Sequence, residues 1–316
     1  MIELLKTVDG ALARIERIEA GCWVNVCIPD DDEIRWLHDN LCIGDDFIDA
    51  MLDRDEISRI DKDEDANQAL VVVDYPAAEG MDDQAAPGLE QFDTQPISIL
   101  LIENPGVVVT LTNASCAVIE KFKDDKAISI STGKRTRFLL EVLLEVSQSY
   151  IDALRILEKQ TLALERRMRK KQNNEGLMNM LGIEKSLLYM STSLKSSAPT
   201  LQAIRNGQFA KLFEEDQELL NDVIVEYRQA SEMCSIYTDV ITKAMDAFSG
   251  VVSNNVNASM GVLTTITLLL SIPTVVFSFY GMNTNLLPMS DSWVFPMLLS
   301  VALAAVAIVI LMRWRR

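Results

Sequence analysis

The hydrophobic pattern of this chain changes period twice. Over residues 1–134, short apolar runs rich in β-branched residues recur at WVNVCI (23–28), ALVVVDY (69–75), ISILLI (97–102) and VVVTLT (107–112), the composition of strands. ENPG, between the last two, is a turn signal and predicts a hairpin. PDDDEIRWLHDNL (29–41) reads as a helix opened by Pro29, with its acids at the positive end of the helix dipole. The acidic stretches DKDED (61–65) and EGMDDQAAPG (79–88) read as solvated loops.

From about Lys134 the period becomes helical. Leu139, Leu143, Val146, Tyr150, Leu154 and Leu157 follow steps of three and four, NNEG breaks the pattern, and a second helix is expected to about Ser196. Pro199 and Gly207 then punctuate the chain. Next, Leu220, Val223, Tyr227, Ala230, Cys234, Tyr237, Ile241, Ala244, Phe248 and Val251 alternate the same steps, predicting one long packed helix. Unbroken from 208 to 280, it would measure ~100 Å at ~1.5 Å per residue, far more than a bilayer.

Two uncharged runs close the chain. GVLTTITLLLSIPTVVFSFY (261–280) and WVFPMLLSVALAAVAIVILM (293–312) each match a bilayer core, and residues 281–292 leave room only for a tight hairpin between them. Two crossings put both termini on one side, and the RWRR tail marks that side as cytoplasmic. The expected architecture is therefore an α+β cytoplasmic domain (1–134), a helical hairpin (135–206), a stalk helix (207–258), a first transmembrane helix (259–280), an outer loop (281–292), a second transmembrane helix (293–312) and a basic tail (313–316).

Charge sharpens this picture. Lys and Arg total 29 against 46 Asp and Glu, for a net −17. The last 56 residues hold three Arg and one Asp, so residues 1–260 carry −19. Such a body is ill suited to nucleic acid and well suited to cations. Five scattered cysteines and a single histidine, His38, form no zinc spacing, and reduced thiols are expected. No nucleophile, base and metal constellation suggests an enzyme.

The first apolar run is not uniformly apolar. Thr264, Thr267, Ser271, Thr274 and Ser278 continue the three-and-four steps, which reach back to Met260 and Asn257. Such a hydroxyl seam serves either as glue between membrane helices or, in a ring of identical chains, as the wall of a wet axial path. Neither run holds an acid or base, so proton relay is not suggested.

YGMN (280–283) ends the first run, with a second run close behind and a basic C-terminus. With VVSNNVNASMGVLTTITLLLSIPTVVFSFYGMN, these features resemble the CorA family of magnesium channels, and the order of parts agrees along the whole chain. The resemblance implies a CorA-like homopentamer in the plasma membrane, conducting Mg²⁺ inward and gated by internal Mg²⁺. It implies a selectivity filter at Gly281, Met282 and Asn283, where a ring of amides holds the ion's water shell. By position it places Asn257, Met260, Leu263, Thr274 and Ser278 along the pore, joining Thr264, Thr267 and Ser271 of the seam. It also implies a regulatory Mg²⁺ site at Asp222, partnered by Asp82 or Asp83 of a neighbouring subunit. Thr284 and Asn285 stand where the family commonly has Phe-Glu. Transport of Co²⁺, Ni²⁺ or Zn²⁺ on the same scaffold is the nearest rival. A membrane-anchored coiled-coil scaffold is another, although a mere anchor has no use for the seam.

Overall fold

The computed structural model describes residues 1–78, 89–123, 130–170, 174–207, 212–282 and 293–314. The chain divides into two compact units, Met1–Met245 and Asp246–Arg316.

The first unit is built on a seven-stranded mixed sheet of order β2-β1-β3-β7-β6-β5-β4. Its strands are β1 (Ile2–Val8), β2 (Ala11–Arg14), β3 (Trp23–Cys27), β4 (Arg59–Asp63), β5 (Gln68–Ala78), β6 (Phe92–Ile102) and β7 (Val107–Thr112). All neighbours are antiparallel except β3 and β7, which pair in parallel with Val24 opposite Val109. The predicted β6–β7 hairpin is present, with Ile102 opposite Val107.

β1 and β2 were not anticipated. They are joined by Asp9-Gly10, both at positive φ (50° and 85°), the two-residue turn whose twist matches a hairpin. β4 is a correction: Asp61, Lys62 and Asp63 were expected in a solvated loop and instead form an edge strand paired to β5. Charges suit that place, because they discourage a further strand from adding to the exposed edge. Asp63 then accepts from the amides of Asp65 and Ala66, both at 2.9 Å, closing the turn into β5. The stretch 79–88 lies outside the described residues.

One sheet face is covered by α1 (Asp31–Leu41) and α2 (Asp45–Leu52), the latter also unanticipated. Val24, Val26, Val107, Val109, Leu111, Leu100, Leu70 and Val72 meet Leu37, Leu41, Ile48 and Met51 in a common core. The acids at the start of α1 do local work. Asp30 caps the amides of Asp32 and Glu33, and Glu33 returns a bond to the Asp30 amide. On alternate positions Trp23 packs on Phe138 (5.1 Å between rings) and donates to Thr110 at 2.8 Å. Phe122 of α3 (Ala117–Lys123) joins the same cluster.

Three long helices complete the unit: α4 (Arg135–Lys170), α5 (Asn174–Arg205) and the first part of α6 (Glu214–Tyr280). α5 passes Ser196 and includes Pro199, against the expected break. A proline removes one helical N–H, here the donor to the Lys195 carbonyl. Packing on sheet and helices outweighs that single loss. Serines fasten α5 to the sheet: Ser186 accepts from the Phe92 amide at 2.9 Å, Ser193 donates to Asp74 at 2.7 Å, and Ser197 meets Ser58 at 3.0 Å. Tyr150 of α4 adds a 2.6 Å contact to the Ser193 hydroxyl. Burial pushes the Asp74 carboxyl above its usual range, partly opposed by the Ser193 hydrogen bond.

The stripe predicted on α6 is the packed one. Leu220, Val223, Tyr227, Ala230, Cys234 and Ile241 are buried, whereas Val251 at the far end is exposed. Tyr227 lies 6.5 Å from Tyr150, Cys234 bonds the Leu187 carbonyl at 3.2 Å, and Tyr237 donates to Glu158 at 3.0 Å. All five cysteines are free.

Candidate functional site

The second unit holds the end of α6 and α7 (Val294–Trp314). Among the described residues two helices are long and apolar enough to cross a membrane. Their most apolar windows have mean hydropathies of 2.0 and 2.8, yet only 6% and 11% of those windows is buried. A core helix of a soluble protein would be mostly covered, so these apolar surfaces are made for lipid or for other copies.

α6 and α7 each have one less exposed side in this unit, and they meet at Tyr280 and Phe295. On α6 the less exposed positions are Gly261, Thr265, Leu269, Ile272, Val276 and Tyr280, with Val276 only 7% exposed. The Tyr280 and Phe295 rings pack tilted to one another, 6.0 Å between centroids. On α7 the covered positions include Pro296, Ser300, Ala304 and Ala307, and small residues of this kind let membrane helices approach closely.

The seam lies roughly opposite, at ~100° per residue. Asn257, Met260, Leu263, Thr264, Thr267, Ser271, Thr274 and Ser278 are all exposed. Leu263 belongs to this side despite falling one residue off the hydroxyl steps. The hydroxyls have a definite polarity. Thr264 donates to the Met260 carbonyl (2.8 Å), Thr267 to Leu263 (2.9 Å), Ser271 to Leu268 (2.8 Å) and Thr274 to Leu270 (3.0 Å). Each hydrogen is committed to the helix, leaving oxygen lone pairs to face outward. The seam thus presents acceptors, as the water shell of a cation requires.

At the end of α6 the Gly281 amide still bonds the Phe277 carbonyl at 2.9 Å. A Cβ on Gly281 would come within 3.2 Å of that same oxygen, so glycine lets the chain turn tightly there. Met282 follows and is exposed. Asn283 lies outside the described residues, as do Asp82 and Asp83. Asp222 is exposed on α6 in the first unit. Among the described residues no three His, Cys, Asp or Glu side chains gather as a metal cage. The sequence reading passed over the side of α6 that meets α7. Gly261, Thr265, Leu269, Ile272 and Val276 carry that signal in their spacing.

A mixed-sheet α+β body, a long helix and two C-terminal apolar helices define a membrane protein of a two-span class. A family described as CorA-like Mg²⁺ transporter protein matches residues 19–316. The chain belongs to the CorA family, whose members are metal-ion transporters rather than enzymes. The cobalt/magnesium transport protein CorA of Methanocaldococcus jannaschii is 26% identical over 274 residues, spanning 85% of this chain and 82% of that protein. The complete structure of the CorA magnesium transporter from the same organism matches with a TM-score of 0.79 at 23% identity, covering 100% of this chain and 98% of that one. The full-length CmaX protein matches at 0.72 and 15% identity, covering 100% and 97%. The ZntB cytoplasmic domain from Vibrio parahaemolyticus matches at 0.60 and 12% identity, over 80% of this chain and 98% of that domain.

Proposed function

We propose that this chain forms a homopentameric Mg²⁺ channel of the plasma membrane, in which five copies of α6 surround one axial path. The observation that carries this reading is the exposed hydroxyl seam, turned away from α7 and presenting acceptors along the whole apolar part of α6. A ring of subunits would cover that seam with nothing but water and ions. Mg²⁺ dehydrates reluctantly, so acceptors that hold its water shell serve it better than a stripping cage. The filter is Gly281, Met282 and Asn283. Glycine lets the helix end turn, and five Asn283 amides take the hydrated ion at the outer mouth. The arginines of the tail set both termini in the cytoplasm.

The −19 body is the sensor of internal Mg²⁺. Asp222, with Asp82 or Asp83 of the neighbouring subunit, takes a regulatory ion that favours the closed ring. Co²⁺ is a second cargo of the same path, a reading favoured by the name of the curated relative, which joins cobalt to magnesium. The test is Asn283→Ala in proteoliposomes. Mg²⁺ uptake should fall to the protein-free leak while the variant still elutes as the same oligomer. Uptake at the unmodified rate would remove Asn283 from the filter.

A further inference from the structure

Cys27 and Tyr75 share the sheet face on which Trp23 meets Phe138. Cys27 closes β3 and stands in one row with Thr112, Ile97 and Val73 across four strands. Cys27 lies four residues beyond Trp23 and Tyr75 two beyond Val73, so strand alternation turns both toward that face. α3 covers it, with Phe122 packed on Phe138. Between Thr112, the last residue of β7, and Ala117, the first of α3, the chain passes the end of β3. There the Cys27 thiol donates to the Ala114 carbonyl at 3.7 Å, two residues short of Cys116. Cys116 is fixed at the start of α3, its carbonyl accepting from the Glu120 amide at 3.0 Å. Cys116 and Tyr75 are each 2% exposed, Cys27 is half-buried, and both thiols are free.

The Tyr75 hydroxyl is buried and has no hydrogen-bond partner among the described residues. Such a group is costly and calls for an acceptor. After burial itself, the groups that make this phenol harder to ionise are the thiols of Cys116 and Cys27. A thiol sulfur accepts weakly, whereas an ionised one accepts strongly. Cys116 is held between the two forms. Burial pushes its thiol up to about 11, while the amides of Ile119 and Val118 and the nearby Tyr75 hydroxyl pull it down. Donors gathered around a sulfur that burial keeps protonated call for a cation, which displaces the proton and leaves a thiolate. Two sulfurs in apolar surroundings select a soft ion, whereas Mg²⁺ prefers oxygen. Zn²⁺ takes four ligands, and among the described residues no third His, Cys, Asp or Glu joins the pair. Cu⁺ is satisfied by two thiolates.

We propose that Cys27 and Cys116 together bind one Cu⁺ ion, with the Tyr75 hydroxyl donating to the Cys116 sulfur. Each thiol releases its proton to solvent as its sulfur binds. The ion offsets one of the two negative charges so formed, and the Tyr75 hydrogen stabilises the other. Cys27, the more exposed of the two, is the side from which the ion enters. Once bound, the ion ties the end of β3 to the start of α3. The site lies in the first unit and uses soft sulfur, whereas the seam lies in the second and offers oxygen, so neither reading depends on the other.

The test is anaerobic titration of Cu⁺ into the reduced, detergent-solubilised full chain, in competition with a chromogenic Cu⁺ chelator. One equivalent should pass from chelator to protein and bring the ultraviolet absorption of a copper–thiolate bond. Binding should tighten as pH rises, because both sulfurs must lose protons. Cys27→Ser should weaken it by at least about a hundredfold, since a hydroxyl is a poor ligand for a soft ion. Cys116→Ser should do the same, and the half-buried Cys27 carries the test should the deeper variant unfold. Tyr75→Phe removes only the hydroxyl and should cost about tenfold. Cys42→Ser, at the exposed end of α1, should change nothing. The proposal is overturned if the chain cannot compete with the chelator, if Cys27→Ser binds as tightly as the unmodified chain, or if Cys42→Ser abolishes binding. Equal retention of Zn²⁺ would overturn the assignment to Cu⁺, and an unchanged affinity in Tyr75→Phe would overturn the part given to the phenol.

Discussion

Replacing Thr274 by valine and, separately, Thr265 by valine sets the two sides of α6 against each other. Each change deletes one hydroxyl and keeps the shape of a β-branched side chain. Neither hydroxyl is essential to the helix. Thr274 donates to Leu270 at 3.0 Å and Thr265 to Gly261 at 2.7 Å, supplementing carbonyls that already serve the helical ladder. Melting temperatures should therefore change little in either variant. The flux should separate them. In a pentamer Thr274→Val strips every acceptor from one level of the path at once. At ~0.5 kcal/mol for each lost contact to the ion's water, the barrier rises by about 2.5 kcal/mol, roughly seventyfold in rate. Thr265, on the half-buried side with Val276, should cost less than about twofold. The assay is Mg²⁺ entry into proteoliposomes loaded with a Mg²⁺-sensitive dye. Equal losses in the two variants, or none at Thr274, would mean that the seam faces no ion path.

Asp222→Ala should raise the internal Mg²⁺ that half-inhibits flux without altering the order of ion preference. Superimposable inhibition curves would leave Asp222 a solvated acid. Asp74→Asn should raise the melting temperature at pH 7. Burial holds the Asp74 carboxyl above its unfolded value of 3.8, so the folded chain binds the proton more tightly. Ionising Asp74 therefore costs stability as pH rises above 3.8, and that cost is fully present beyond the raised value. The gain from Asn should shrink to nothing as pH falls below 3.8, which thermal melts across pH would show. A cysteine at Ser290 should react with an impermeant thiol reagent in intact cells, whereas Cys42, exposed in the first unit, should react only after permeabilisation. The reverse pattern would invert the orientation. Cys234 is a poor control, being buried against α5.

Much of this architecture was legible in the residues themselves because its causes are local. Apolar runs rich in β-branched residues marked β5, β6 and β7, steps of three and four marked α4 and the packed stripe of α6, and two uncharged runs marked the membrane pair. Pro29 and the acids after it announced α1 through the helix dipole, which acts within one turn, and the structure adds the cap that Asp30 and Glu33 form. The Asp9-Gly10 turn was equally local, but the strands flanking it are too short to show alternation. Other features depended on partners far along the chain. Asp61 to Asp63 have a loop's composition and became β4 because β5 offered an edge to pair with. Pro199 would end an isolated helix, yet α5 continues because contacts with sheet and α4 outweigh one lost hydrogen bond.

The candidate site divides in the same way. The seam from Asn257 to Ser278 is a matter of spacing, and so was visible in one dimension. That it turns away from α7, with Leu263 on the exposed side and Thr265 on the covered one, depended on how two helices pack. That the buried Asp216 lines one cavity with Arg135 and Arg137 of α4 was invisible in sequence. About eighty residues separate those two helix ends, and no local pattern records where a fold will bring distant charges together. Periodicity and capping are energies between near neighbours along the chain. Burial is an energy of the whole tertiary arrangement.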